Sequence, residues 1–241
     1  MGWIRKFADR FRPSKIVRRE IDLAMNRWLR DIDFGLRLRA ILASSDFVFE
    51  NVPLHKRFNP VALRKQALER APANGLLLEF GVWQAMWINR MASWTERRFF
   101  GFDSFEGLPE PWTTVDRGFF ALQELPQVRE NVTLVKGWFN ETLPPFLETH
   151  RESVAFIHMD CDLYSSTKTV LDLLKDRLMA GTVIVFDDFL MQPGWQREEH
   201  KAWFDFIGEH HVEFEYLGYQ TEIACAVAVQ ITKAPLASHT S

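Results

Sequence analysis

Four aspartates on two short stretches could hold a metal or move a proton. Asp160 and Asp162 close an apolar run in AFIHMDCDLYSST, Ala155 to Thr167. Asp187 and Asp188 close a second run in TVIVFDDF, Thr182 to Phe189. A single Asp after a strand is most often a helix cap or a turn residue. Two acidic clusters at matching places in consecutive apolar runs are harder to assign to caps. Carboxylates that converge repel one another unless a cation sits among them, and an all-oxygen donor set suits Mg²⁺ or Mn²⁺.

The elements that must position these acids are legible around them. Between the runs, Lys168 to Gly181 carries Val170, Leu171, Leu174 and Leu178 at helical spacing, with Gly181 as a stop. Strand–helix–strand makes the two strands parallel neighbours with their carboxyl ends on one edge of the sheet. Both acidic clusters then face the crevice where open α/β sheets bind ligands. His158 lies two residues before Asp160, on the same strand face, and reads as a satisfied core or supporting group rather than a catalytic one. Tyr164 and Ser165 read as caps of the following helix, and His200 as a weaker base candidate.

Composition sets the bounds. The chain has 241 residues, 47% apolar, with 21 Phe and 9 Trp, enough core for one domain with an appendage. A net charge of −3 gives no reason to expect nucleic acid. No stretch reaches the ~20 apolar residues of a membrane span. The amino-terminal residues lack a secretory pattern, so a cytoplasmic location is expected. Cys161 and Cys225 lack metal-ligand spacing, which fits a reducing compartment without a disulfide framework. Residues 1–40 hold 11 Lys/Arg against 5 Asp/Glu, a balance of +6 that leaves −9 for the rest. Such a start suits contact with a membrane surface or an acidic partner. The plainer reading is a helical appendage packed on the domain or on a second subunit, as in a homodimer.

In chain order, residues 3–43 read as helical with a break at Pro13, and Val61 to Arg70 as a helix opened by Asn59-Pro60. Strands are expected at LLLEFGV from Leu76, Arg97 to Phe102, Val132 to Val135, Val154 to Met159 and Thr182 to Phe186. Helices are expected over Trp83 to Trp94, within GWFNETLPPFLETH as a turn and short helix, and over Gln196 to Glu209 with Trp203, Phe204 and Ile207 inward. Residues 104–127 form a long connection with the marks of a lid, given an apolar face by Trp112, Phe119 and Phe120. Glu213 to Tyr219 and Ala224 to Ile231 suit antiparallel pairing. The domains read as a helical extension over 1–58, a catalytic domain over 59–233 and a disordered tail over 234–241.

The first strand carries Glu79 and then Gly81, which allows close backbone approach. The second strand ends at Asp103, placed to accept both hydroxyls of a ribose. LEFGVWQAM lacks the G-x-G-x-x-G of a dinucleotide site. A nucleoside without a pyrophosphate points to S-adenosylmethionine.

LEFGVW, FFGFDSFEGLPE, VKGWFNETLP, IHMDCDLYSST and VIVFDDF, in this order, resemble the macrocin O-methyltransferase family across residues 60–231. The resemblance implies a Rossmann-like class I methyltransferase sheet, mostly parallel with an antiparallel C-terminal strand and helices on both faces. It implies S-adenosylmethionine held by Glu79, Gly81, Asp103 and Ser104, with Gly137, Trp138 and Phe139 over the adenine. Mg²⁺ or Mn²⁺ would sit on Asp160, Asp187 and Asp188, with Asp160 also touching the cofactor side and acting as general base. The acceptor would be a sugar hydroxyl in a glycosylated small molecule or glycan. Trp138 and Phe139 could equally be core aromatics. One departure stands out: Ala85-Met86-Trp87 occupies the place of a second small residue, often Gly, followed by Ser or Thr. The hold on the methionine carboxylate then falls to Asn89 or to the backbone. The competing class is a glycosyltransferase, since D-C-D is also a D-x-D pattern, although no basic or glycine-rich diphosphate cradle accompanies it.

Overall fold

In the computed structural model of the protein, residues 19, 31–221 and 225–235 are described. The expected helical start and its basic face lie largely outside them, as does most of the expected tail. The chain divides into two compact units, residues 1–39 and 40–241.

The second unit is built on one eight-stranded sheet. Its strands are β1 Arg57–Phe58, β2 Leu76–Phe80, β3 Phe99–Asp103, β4 Val132–Lys136, β5 Val154–Met159, β6 Leu178–Leu190, β7 Glu213–Gln220 and β8 Cys225–Lys233. The spatial order is β1-β7-β8-β6-β5-β2-β3-β4. Only β8 runs against its neighbours; all other pairs are parallel. β2 and β5 are buried at every position, as unbroken apolar runs covered on both faces must be. The helices are α1 Ile32–Asn51, α2 Pro60–Arg70, α3 Met86–Ala92, α4 Phe139–Thr149, α5 Tyr164–Leu174 and α6 Glu199–His210. Asn59 caps α2 by accepting the Ala62 N–H at 2.8 Å, with Pro60 pre-set for the first turn. No helix among the described residues is long and apolar enough to cross a membrane.

β2, β5 and β6 lie side by side at the centre, with Glu79 opposite His158 and His158 opposite Val185. The chain leaves β2 towards β3 on one side and returns at β5 on the other. This switch point is where a crevice opens at the carboxyl edge. The residues just past β5 and near the end of β6 therefore meet at its mouth.

Several expected boundaries move for local reasons. The helix expected to run to Gly181 ends at Leu174, and Gly181 lies inside β6 at φ 99°. Leu178 already pairs with Val154. The extra residues that follow bulge out, stitched by Thr182 Oγ1, which donates to the Val154 carbonyl at 2.6 Å and accepts the Met179 N–H at 3.0 Å. The helix expected from Trp83 starts only at Met86, because Trp83 (φ 42°) and Ala85 (φ 61°) are left-handed. On α6 the buried aromatics are Trp203 and Phe206, whereas Phe204 is partly exposed. Residues 104–127 do form a connection, closed on itself by Leu108 N–H to the Phe119 carbonyl and Gly118 N–H to the Leu108 carbonyl, both 2.9 Å.

Candidate active site

A cleft of about 350 Å³ opens at the switch point. Glu79, Gly81, Asp103, Ser104, Trp138, Phe139, Asp160, Asp187 and Asp188 all line it, so the topology gathers all but one of the residues that the resemblance assigns to cofactor or metal. Gly137 does not line it. At φ 140° it makes the turn that delivers Trp138 and Phe139, and its N–H donates to the Asp103 carbonyl at 2.9 Å. Phe139 stands edge-on to Phe80 at 5.4 Å between ring centres.

At one end of the cleft are the acids. Carboxylate oxygens of Asp160, Asp187 and Asp188 lie within 4.8 Å of one another. Asp162, left-handed at φ 63°, is buried beside them and hydrogen-bonds Asp188. Burial, reinforced by Asp188, pushes Asp160 up to about 7. Burial likewise raises Asp162 well above the carboxylate range. Asp188 is also raised by burial, against the opposing pull of its hydrogen bonds from Asp162 and Gln192. Protons or a cation must answer this density of charge. An all-carboxylate trio fits a hard divalent ion, because such ions take oxygen ligands.

Two groups that sequence reasoning passed over, Arg64 and Glu199, complete the cluster. Arg64 on α2, 1% exposed, forms an ion pair with Asp187 and donates from Nε to His158 Nε2 at 3.0 Å. Trp87 lies against its guanidinium, 3.9 Å to the ring centre. Because an arginine only donates, His158 Nε2 must accept, which leaves the proton on Nδ1 to donate to Glu79 Oε1 at 2.8 Å. Both ring nitrogens are thus engaged and His158 is neutral; burial and the Arg64 charge hold its pKa well below the usual histidine value. This agrees with the supporting role read from its place in the strand. Glu79, fully buried, is raised well above the ordinary range by burial, then by Asp160. Glu199 is also fully buried, and it accepts the N–H groups of Cys161 at 3.4 Å and Asp188 at 3.3 Å, tying the two acidic strand ends together. A signal for Arg64 did exist: it stands between Leu63 and Ala67 on the buried stripe of its helix. Glu199 gives none, since a glutamate in a first turn is ordinary.

Other expectations change. His200 packs among Phe47, Trp195 and Phe204, with ring centres 5.0, 4.6 and 4.6 Å away, and burial lowers it to about 4. It does not line the cleft and is no base for it. Tyr164 and Ser165 do not cap α5. The Tyr164 hydroxyl donates to Asp205 at 2.9 Å, and Ser165 Oγ donates to Glu110 on the long connection at 2.6 Å.

Beside the acids, Gly81 (φ 86°) brings β2 against β5, and a Cβ there would lie 1.7 Å from the Asp160 carbonyl oxygen. The close approach that Gly81 permits is to this strand end. Asp103 Oδ2 accepts the Val82 and Trp83 N–H groups at 2.8 Å each, and Oδ1 accepts that of Phe105 at 2.7 Å. Of the roughly four lone-pair sites of a carboxylate, about one remains, rather than the two that a pair of ribose hydroxyls would fill. Asn89 is committed elsewhere: it donates to the Gln127 carbonyl and accepts the Arg129 N–H, both at 2.9 Å. That leaves the backbone around left-handed, fully buried Ala85 as the remaining candidate for a carboxylate.

The acids imply a dependence on pH. In the unfolded chain Asp160 ionises near 4, whereas in the fold it holds its proton to about 7. The folded chain then binds more protons than the unfolded one, so stability falls as pH rises. The buried histidines act in the opposite sense, an effect that fades between about pH 6.5 and 7.5. It is outweighed because burial also raises Glu79, Asp162 and Glu199 well above the carboxylate range. Thermal unfolding in chelator is therefore expected to shift to lower temperature between pH 6.5 and 8. A midpoint that rises over this window would contradict the assignment.

Residues 55–215 match the sequence model described as Macrocin-O-methyltransferase (TylF). The chain belongs to the macrocin O-methyltransferase family. Within it, the chain is 36% identical over 142 residues to the 8-demethyl-8-(2,3-dimethoxy-alpha-L-rhamnosyl)-tetracenomycin-C 4'-O-methyltransferase of Streptomyces olivaceus, covering 48% of this chain and 53% of that one. It is 30% identical over 164 residues to the demethyldecarbamoylnovobiocin O-methyltransferase of Streptomyces niveus, covering 56% and 61%. The chain thus spans little more than half the length of the curated relatives it matches. The fold is that of the calicheamicin methyltransferase CalS11, with a TM-score of 0.56 at 23% identity over 81% of this chain and 91% of that one. The O-methyltransferase NovP has the same fold, with a TM-score of 0.55 at 22% identity over 72% and 79%. Membership in the macrocin O-methyltransferase family removes the ground for the glycosyltransferase alternative.

Proposed function

We propose that this chain is an S-adenosylmethionine-dependent, divalent-metal-dependent O-methyltransferase that acts on a sugar hydroxyl of a glycosylated small molecule. The observation that carries this reading is that the trio Asp160, Asp187 and Asp188 lines one cleft together with Glu79 and Asp103. The acceptor class is supported by the two relatives, whose names place the methyl group on a rhamnosyl unit and on a novobiocin precursor. Free, buried Cys161 and Cys225 suit a reducing cytoplasm. Leu42 and Phe49, exposed on α1, suit a homodimer.

In this reading the cofactor supplies an electrophilic methyl group on a sulfonium sulfur, and Mg²⁺ or Mn²⁺ supplies charge that lowers the pKa of the acceptor hydroxyl. Glu79, Gly81, Asp103, Ser104, Trp138 and Phe139 hold the cofactor, with Gly137 making the turn. Asp160, Asp187 and Asp188 hold the metal. Asp160 would take the hydroxyl proton, as a carboxylate at the cleft wall can. Trp112 and Phe120, which also line the cleft, shield it from water.

Calorimetric titration of the full chain with S-adenosylhomocysteine and with Mg²⁺ tests both halves. Saturable binding of the nucleoside is expected, together with a Mg²⁺ heat that Asp188→Asn loses. Absence of nucleoside binding would sink the methyltransferase assignment. An unchanged Mg²⁺ heat in Asp188→Asn would remove the metal from this trio.

A further inference from the structure

We propose that Arg64 is a positioning residue that holds Asp187 and His158 in place, so that Asp160, Asp187 and Asp188 present one preformed donor set. The inference rests on reading the trio as a divalent-cation site.

Arg64 comes from α2, outside both acidic stretches, yet its guanidinium is 1% exposed. It pairs with Asp187, donates to His158 Nε2 at 3.0 Å, and from Nη1 donates to the Pro60 carbonyl at 3.0 Å and to Gln220 Oε1 at 3.1 Å. Trp87 covers its face. The fork is thus fixed by groups on α2, α3, β5, β6 and β7, and it has no freedom left to follow a moving carboxylate. Burying a charge is costly, and an apolar residue on this stripe would pack without that cost. A positive charge beside a cation site also repels the cation. The Arg64 charge also offsets the crowded acids, drawing Asp160, Glu79 and Asp188 towards their ionised forms. Charge and geometry must therefore be separated by a variant that keeps the one and loses the other. A rigid planar fork can hold Asp187 and His158 together, and a lysine ammonium cannot copy it. Through His158 the same fork reaches Glu79, so one side chain ties the metal end of the cleft to the cofactor end.

The test is Mn²⁺ titration of the full chain, read by paramagnetic resonance, for the unaltered protein, Arg64→Lys, Asp187→Asn and the double variant. Arg64→Lys keeps the charge and loses the fork. Partners of metal ligands typically contribute ~10–100-fold in affinity, and a loss of that size is expected. If Arg64 acts through Asp187, the same change in the Asp187→Asn background should move the affinity by less than ~2-fold, whereas general loosening would be additive. Should Arg64→Lys not fold, Gln220→Ala decides: it leaves Nη1 held by the Pro60 carbonyl alone, removes no charge, and is expected to weaken Mn²⁺ binding. Unchanged affinity in the folded Arg64→Lys or in Gln220→Ala, or additivity in the cycle, overturns the role of Arg64 while leaving the metal site standing. An unaltered chain that binds S-adenosylhomocysteine but not Mn²⁺ overturns the metal reading and this role with it.

Discussion

Replacing Asp160 with Asn is expected to remove methyl transfer while leaving a more stable protein. Loss of a general base costs ~10²–10⁴-fold, and loss of a metal ligand adds to it, so release of S-adenosylhomocysteine with a glycoside acceptor should fall by at least ~10³-fold. The amide is close in shape to the carboxylate and never ionises. It therefore escapes the penalty that burial and Asp188 impose on the Asp160 charge. That penalty is on the order of 4 kcal/mol at pH 8, worth a rise of roughly 10 °C in the unfolding midpoint of the metal-free chain. The two readouts moving in opposite directions separate lost chemistry from lost folding. An active Asp160→Asn would move the base to another residue. An inactive but destabilised one would mean that Asp160 serves the fold.

Gly81→Ala is expected to be the most destabilising change. At φ 86° an alanine is strained, and its Cβ would lie 1.7 Å from the Asp160 carbonyl oxygen, a backbone atom that can retreat only by parting β2 from β5. Left-handed strain and forced overpacking together amount to roughly 3–5 kcal/mol, or a drop of ~10 °C in the unfolding midpoint. Because the displaced peptide belongs to Asp160, Mn²⁺ binding should be lost as well. Gly208→Ala is the contrasting control. Nothing lies within 4 Å of a Cβ there, and the site is exposed on α6. Exchanging a helical glycine for alanine should therefore stabilise by ~1 kcal/mol. Equal effects at the two positions would remove the argument from close approach.

The sequence by itself determined the order of the elements from α2 onwards and the pairing of β5 with β6, but not β1, which falls where a plain connection was expected. It also determined the meeting of Asp160, Asp187 and Asp188 at one edge. These follow from local periodicity and from the rule that a strand–helix–strand unit is parallel, and neither needs knowledge of distant contacts. Motif order carried the family and most of the cleft-lining residues for the same reason. The bulge at Gly181 escaped, because helical spacing through Leu178 competes with pairing to Val154, and only the sheet decides between them. The left-handed start of α3 escaped as well, because the Asp103 carboxylate that accepts the Val82 and Trp83 N–H groups lies 20 residues further on. The contacts of Arg64 and Glu199 belong to the tertiary structure alone, although the place of Arg64 beside Leu63 on its helix was visible in the sequence. Arg64 meets His158 across 94 positions and Glu199 meets Cys161 across 38. What makes each a partner of the acidic site is a burial and a contact that exist only once the sheet has closed around them. An exposed arginine and an exposed glutamate look the same in the sequence, and desolvation beside like and unlike charge is what gives these two their place in the site.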